Sequence, residues 1–266
     1  MTADGRQAAQ IVLTAISPYV VGLFAKRDPG QPSWEYATGV PIEFDGLKFI
    51  LTAAHVLSYL PVDLVFVPPP PAGFLISDPT NGGRYVKSER WDNIHCVGNK
   101  DPDLAAILFR TEPQIQFFRL SRNAVTPCEG TNVVICGYPL ASTKAAQLAN
   151  DEVRDLALPD FQCAKVLNPD SLNKLKPHQF AIDYPSMPGI VRPVGFSGSM
   201  VWYDDAACRT PEELRGRLSV APAGIVTEHW VSEQELFCTN IESVVDFVER
   251  EVLPVAQDLQ RTGTVR

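Results

Sequence analysis

The 266-residue chain carries 23 Lys and Arg against 31 Asp and Glu, a formal net charge of −8, and 45% of its residues are hydrophobic. That apolar share builds a packed core and excludes a disordered chain, while the acidic balance excludes the clustered Lys/Arg footprint that nucleic-acid binding needs. Twenty-three prolines, against a usual share of about 5%, exclude a helical bundle, because proline ends helices and sits in turns and edge strands.

Taken in chain order, the first apolar stretch, Ile11 to Phe24, is broken by Ser17 and Pro18 and falls short of the roughly 20 residues of a membrane span. Its leader places Asp4 beside Arg6 and no small-residue cleavage site follows, which is not the pattern of a secretion signal. The expectation is a cytoplasmic protein that does not enter membranes and whose cysteines are reduced. None of the six cysteines (Cys96, Cys128, Cys136, Cys163, Cys208, Cys238) forms a C-x-x-C pair, so no zinc or other metal is expected.

Short runs rich in Val, Ile and aromatics recur from there: 19–24, 48–51, 64–67, 105–109, 132–135, 200–203 and 223–226. Turn chemistry separates them at Asp45-Gly46, Pro68 to Pro71, Asn81-Gly82-Gly83 and Pro127 to Gly130. Strands without regular helices between them predict an all-β chain. Thr210-Pro211-Glu212-Glu213 predicts a short helical turn, and Thr143 to Leu158 is open between helix and long loop. At the C-terminus Ile241, Val244, Val245, Val248 and Val252 repeat at i, i+3, i+4, i+7 behind Asn240, which predicts a capped amphipathic helix packed on the body.

Three segments stand apart from this strand background. In Ile50-Leu51-Thr52-Ala53-Ala54-His55 an apolar strand ends in small residues and a histidine. Taken alone, this is equally a histidine satisfied in a core. In Asp101-Pro102-Asp103-Leu104-Ala105-Ala106 an acid directly precedes an apolar strand. Its carboxylate needs a partner if drawn inward, and an isolated Asp-Pro-Asp is otherwise a solvated turn. In Gly195-Phe196-Ser197-Gly198 two glycines flank a serine. That permits a tight turn exposing the hydroxyl and aiming successive N–H groups at one spot, as a nucleophile and an oxyanion hole require.

The order His, Asp, Ser at strand ends of an all-β chain resembles the trypsin/chymotrypsin-type serine proteases, and most nearly bacterial cytosolic trypsin-like and HtrA-like protease domains. Leu51-Thr52-Ala53-Ala54-His55 matches the family's T-A-A-H, Asp103-Leu104-Ala105 its D-[IL]-A, and Gly195-Phe196-Ser197-Gly198 its G-x-S-G. The resemblance implies a chymotrypsin-like pair of six-stranded antiparallel β-barrels with a C-terminal helix. The first barrel (1–120) carries His55 and Asp103; the second (121–266) carries Ser197 and leaves no room for a PDZ domain. It implies a crossover near Phe118 to Ala124.

By the same resemblance Ser197 is the nucleophile, His55 the general base, Asp103 its orienting acid, and the N–H groups of Gly195 and Ser197 the oxyanion hole. Asp103 is preferred to Asp101 because the apolar strand starts directly after it. His95, His178 and His229 are rival bases only outside this resemblance. Gly224-Ile225-Val226-Thr227 resembles the family's G-I-V-S strand, which implies that Thr227 supports Asp103 and that Glu228 and His229 line the substrate groove. Val191, six residues before Ser197, falls at the base of the primary pocket and implies an apolar or small side chain before the scissile bond.

Two departures bear on control. Phe196 stands where secreted trypsins have the aspartate that pairs with a newly cut N-terminus, and Ser199 and Met200 stand where the family has Gly and Pro. The expected function is a serine endopeptidase acting on protein or peptide substrates, and serine chemistry of this kind calls for no cofactor. It is restrained by the loop around Ser199, by narrow specificity or by a regulatory protein partner that docks on 143–158 or 204–219. The alternative is a catalytically weak module of the same fold that binds a peptide or protein partner.

Overall fold

The computed structural model describes residues 15–26, 34–58, 65–67, 89–90, 95–109, 115–138, 147–149, 152–154, 160–172, 175–184, 195–203, 220–230 and 235–263. Among them the first part of the chain forms β1 (Val21–Lys26), β2 (Trp34–Phe44), β3 (Leu47–Thr52), α1 (Ala54–Ser58), β4 (Val65–Val67), β5 (Glu89–Arg90), β6 (His95–Lys100), β7 (Asp103–Leu108) and β8 (Phe118–Arg119). The second part forms β9 (Asn132–Gly137), β10 (Gln147–Ala149), β11 (Glu152–Arg154), β12 (Asp160–Lys165), β13 (Gln179–Asp183), β14 (Met200–Tyr203), β15 (Ala221–Trp230) and β16 (Glu235–Asn240). It ends in α2 (Ile241–Phe247), a π turn (Val248–Val252) and α3 (Leu253–Arg261).

The apolar runs of the sequence become strands because both of their faces are buried. Side chains alternate across a strand, and each strand feeds two cores. In β3, Leu47, Phe49 and Leu51 join one cluster while Ile50 joins another. In β9, Val134 and Cys136 join that first cluster while Val133 and Ile135 join a third. The shared cluster lies between the two sheets: Leu104, Ala106 and Leu108 of β7 meet Met200 and Trp202 of β14 and Val244 and Val248 of the C-terminal helix there. Tyr19, Phe118 and Trp202 stack edge-on within it, with ring centroids 5.4 and 4.8 Å apart along the trio.

The N-terminal sheet runs β5-β4-β1-β2-β3-β7-β6, and the C-terminal sheet runs β12-β9-β14-β15-β16-β13. The second has the six strands expected. The first gains the two-residue β5 and also β8, which lies parallel to β2. β8 begins the passage to the second sheet and gives that stretch a backbone partner, continued by Leu120 N–H donating to the Glu43 carbonyl at 3.0 Å. Asp45 (φ 49°) and Gly46 (φ 78°) make the predicted β2–β3 turn. The helix-or-loop segment contains the β10–β11 hairpin, and the helical turn predicted at Thr210 lies outside the described residues.

The C-terminal helix begins as predicted. Asn240 Oδ1 accepts the Ser243 N–H at 2.9 Å, a cap that stabilises a helix by about 1 kcal/mol. Its π turn has a local cause in Pro254, which has no N–H to donate to the carbonyl four residues back. The passage between the sheets is tied to this helix. Arg122 Nε donates to Glu249 Oε1 at 2.7 Å, its Nη2 pairs with Asp45, and its guanidinium lies 5.4 Å from the Phe44 ring centroid. Thr126 N–H donates to Glu242 Oε1 at 2.8 Å. Among the described residues no helix is long and apolar enough to cross a membrane.

Candidate active site

The site is assembled at the end of β3. There the strand gives way to Ala53, fully buried, and to α1, which carries His55. Small residues allow α1 to close on the β6–β7 hairpin: a Cβ placed on Gly98 would lie 3.5 Å from Ala105 and 3.9 Å from Ala54. The turn Asp101-Pro102 joins β6 to β7, so Asp103 is the first residue of β7 and faces the histidine.

Asp103 holds His55 by two bonds. Its Oδ1 accepts the His55 backbone N–H at 2.8 Å, and its Oδ2 lies 2.6 Å from His55 Nδ1. An ionised carboxylate only accepts, so Nδ1 carries the proton and a neutral ring presents Nε2 as a lone pair. The Asp103 side chain is 17% exposed and that of His55 35%. The acid is therefore sheltered and the ring reaches the surface. Asp101 is 65% exposed and turns elsewhere, lying 3.4 Å from Lys176 Nζ and 3.2 Å from His178 Nε2. His95 is exposed at the far end of β6 from the Lys100–Asp103 pair.

The Gly195–Met200 loop presents Ser197. Gly195 (φ 101°) and Gly198 (φ 86°) take left-handed conformations that L side chains resist. Ser199 N–H donates to the Phe196 carbonyl at 2.8 Å and closes the turn. In a trans peptide the N–H lies opposite the carbonyl, so the Ser197 N–H points out of this turn. Among the described residues neither the Gly195 nor the Ser197 N–H has an acceptor.

Two sheets hold the loop. From its own sheet, Gly198 N–H donates to Val226 at 2.8 Å and Val226 N–H donates to Ser199 at 2.9 Å. Phe196 is fully buried in the second-sheet core beside Tyr184 and anchors the loop there. From the first sheet, Thr38 N–H donates to the Ser197 carbonyl at 3.0 Å and Thr38 Oγ1 donates to the Gly195 carbonyl at 2.8 Å. Thr52 Oγ1 in turn donates to the Thr38 carbonyl at 2.8 Å. A Cβ on Gly198 would fall 2.2 Å from Thr52 Oγ1. Ser197 is thus bonded to Thr38, which Thr52, three residues before His55, holds in turn.

The structure corrects one predicted contact. Thr227 Oγ1 donates to the Phe237 carbonyl at 3.3 Å, whereas the hydrogen bonds of Asp103 come from His55. The cause is a bulge: Val226 pairs with Cys238 and Glu228 with Phe237, which leaves Thr227 as the extra residue with its hydroxyl taken up by the opposite strand. Glu228 and His229 follow the bulge on β15, Glu228 half-buried. Val191 lies outside the described residues. Sequence reasoning gave no role to Thr38 or Thr52. Thr52 stood inside the L-T-A-A-H segment, and Thr38 in the small-residue stretch Ala37-Thr38-Gly39, where strand side chains are otherwise large. The buried Tyr138 phenol is pushed far above its ordinary value by desolvation, with a smaller contribution from Cys136, and is no acid or base here.

Two packed, mainly antiparallel β-sheets followed by a C-terminal helix make up the chymotrypsin-like fold, the fold of the trypsin-like serine proteases. Solved structures of that fold superpose along most of the chain. The serine endoprotease from Yersinia pestis shares 15% identity over 94% of this chain and 67% of its own, with a TM-score of 0.54. The Rv3671c protease from M. tuberculosis in its active form shares 15% over 91% and 85%, TM-score 0.54. Human heparin binding protein shares 14% over 87% and 90%, also at 0.54. At these identities the likeness is one of fold. No protein-family model matches the chain, and no curated protein does.

Proposed function

We propose that this protein is a serine endopeptidase. The observation that carries the reading is the two-bond grip of Asp103 on His55, with the Ser197 loop tied through Thr38 to Thr52, three residues before that histidine. Ser197 Oγ attacks the scissile carbonyl and His55 Nε2 takes its proton, forming a tetrahedral intermediate. His55 gives that proton to the amine, whose departure breaks the C–N bond and leaves the acyl-enzyme. A water that loses its proton to His55 then hydrolyses the ester and frees Ser197, and Asp103 stabilises the imidazolium each time it forms. The outward N–H groups of Gly195 and Ser197 receive the oxyanion.

A peptide is the natural ligand of this site. Strand β14 pairs with β15 only as far as Ile225, and the edge of β15 runs on beyond the Ser197 loop, which Val226 holds. An extended peptide adds to such an edge by main-chain hydrogen bonds. The preference for an apolar or small residue before the scissile bond rests on Val191 in the sequence.

One neighbour of this fold is a heparin binding protein, which keeps a binding module as the second reading. The net charge of −8 opposes a polyanionic ligand, so the bound partner in that case is a peptide. A fluorophosphonate probe separates the two readings. The enzyme labels covalently, and Ser197→Ala abolishes the label; wild type that stays unlabelled refutes the peptidase.

Activity in this proposal is restrained by narrow substrate choice or by a partner protein. Phe196 and Thr38 tie the serine loop to both sheets, which favours these two means over disorder of that loop. The purified chain alone is therefore expected to digest unstructured casein slowly, as read by release of acid-soluble peptides. Rapid, indiscriminate digestion removes the restraint from the proposal.

A further inference from the structure

Thr38 spends every polar group it has on the seam between the two sheets. It is fully buried. Its N–H donates to the Ser197 carbonyl at 3.0 Å and its own carbonyl accepts from Thr52 Oγ1 at 2.8 Å. Its hydroxyl accepts the Tyr138 N–H at 2.9 Å and donates to the Gly195 carbonyl at 2.8 Å. The direction of that last pair is fixed. An amide N–H can only donate and a carbonyl can only accept, so the single hydroxyl proton goes to Gly195.

Three successive carbonyls of the serine loop are consequently anchored. Gly195 is held by Thr38 Oγ1, Phe196 by the Ser199 N–H and Ser197 by the Thr38 N–H. Each anchored carbonyl fixes a peptide plane and with it the opposite N–H. Two of the three anchors come from one residue 157 positions away in sequence, on the sheet that carries His55. The loop's remaining hydrogen bonds to other elements go to Val226 of the second sheet and say nothing about where the histidine is.

We propose that Thr38 is a positioning residue for the reaction. Its two bonds hold the peptide planes on either side of the Phe196–Ser197 peptide, and so it sets the Ser197 N–H, and Ser197 itself, in register with His55, and it touches no reacting atom. The inference rests on the peptidase reading of the site. Its hydroxyl is the part that matters, because the backbone bonds of residue 38 survive any substitution that keeps β2 in place.

The test compares Thr38→Val, which keeps the shape and removes the hydroxyl, with Thr38→Ser, which keeps the hydroxyl. On a peptide substrate Thr38→Val is expected to lower kcat about 10- to 100-fold with KM within threefold of wild type, and Thr38→Ser to stay within threefold in both. Affinity for a peptide boronate, which forms a tetrahedral adduct on Ser197, should fall in parallel with kcat, while affinity for a non-covalent product peptide holds. Equal turnover by Thr38→Val and wild type overturns the proposal, as does a loss confined to KM or equal impairment of Thr38→Ser. If Thr38→Val does not fold, Thr38→Ala carries the same expectation without a methyl against the Gly195 carbonyl. Hydrogen exchange separates this claim from the peptidase reading. Removing the hydroxyl should speed exchange of the 195–199 amides whether or not wild type labels with fluorophosphonate, and unchanged exchange in that loop refutes positioning by Thr38 even in an active enzyme.

Discussion

Ser197→Ala and His55→Ala are each expected to reduce kcat on a peptide substrate by about five to six orders of magnitude, and by similar amounts, because nucleophile and base act as one unit. The aspartates separate more sharply. In Asp103→Asn one of the two acceptors facing His55 becomes an NH2 donor, so either the backbone N–H or Nδ1 loses its partner. With the amide NH2 toward the ring, the proton must sit on Nε2, where it blocks acceptance from Ser197, and about four orders of magnitude should be lost. Asp101→Asn changes a largely exposed carboxylate whose contacts are Lys176 and His178, neither of them part of the His55–Asp103 pair, and is expected to cost less than threefold. Initial rates for the four variants, measured beside their melting curves, check the series. A larger loss at Asp101 than at Asp103 overturns the assignment of the acid.

The parts of this arrangement that were legible in sequence are those whose chemistry is local. His55 follows its strand end directly, Asp103 opens its strand, and the glycines that turn the Ser197 loop sit within it. The C-terminal helix was legible for the same reason. Ile241, Val244, Val245, Val248 and Val252 are all buried on one side, as their spacing requires. What the sequence hid is non-local. β2 reads poorly as a strand because Pro41 interrupts it. Proline is tolerated there because β1 pairs only up to Gly39, and from Val40 onward β2 belongs to β3. The hydroxyl of Thr38 acts on Gly195, 157 residues away, and no spacing rule announces such a partner. Thr227 was misassigned for a related reason. A single bulge shifts which strand its hydroxyl meets, and bulge positions depend on the register of two chains rather than on one residue type.

Gly198→Ala should be the most damaging single substitution outside the His55, Asp103 and Ser197 trio. Its φ of 86° is already unfavourable for alanine, and its Cβ would stand 2.0 Å from the Thr38 carbonyl oxygen, 2.2 Å from Thr52 Oγ1 and 3.1 Å from Thr52 Cα. Two of those atoms are backbone of β2 and β3, which lie in a continuous sheet and cannot retreat without breaking ladder bonds. The loop must move instead, giving up the Thr38–Ser197 and Gly198–Val226 bonds. A left-handed alanine costs about 1–2 kcal/mol and each lost bond about 1 kcal/mol, so a destabilisation of roughly 3–4 kcal/mol is expected. Moving Ser197 by about 1 Å adds at least a 100-fold loss of turnover in the fraction that folds. Gly130→Ala isolates the conformational part, since Gly130 has a φ of 75° with nothing within 4 Å of its would-be Cβ. It should cost about 1 kcal/mol and leave turnover unchanged. Urea unfolding of both variants, with turnover measured on the folded protein, decides the matter. If Gly198→Ala is as stable and as active as Gly130→Ala, the packing of the serine loop against Thr38 and Thr52 is not what sets the loop in place.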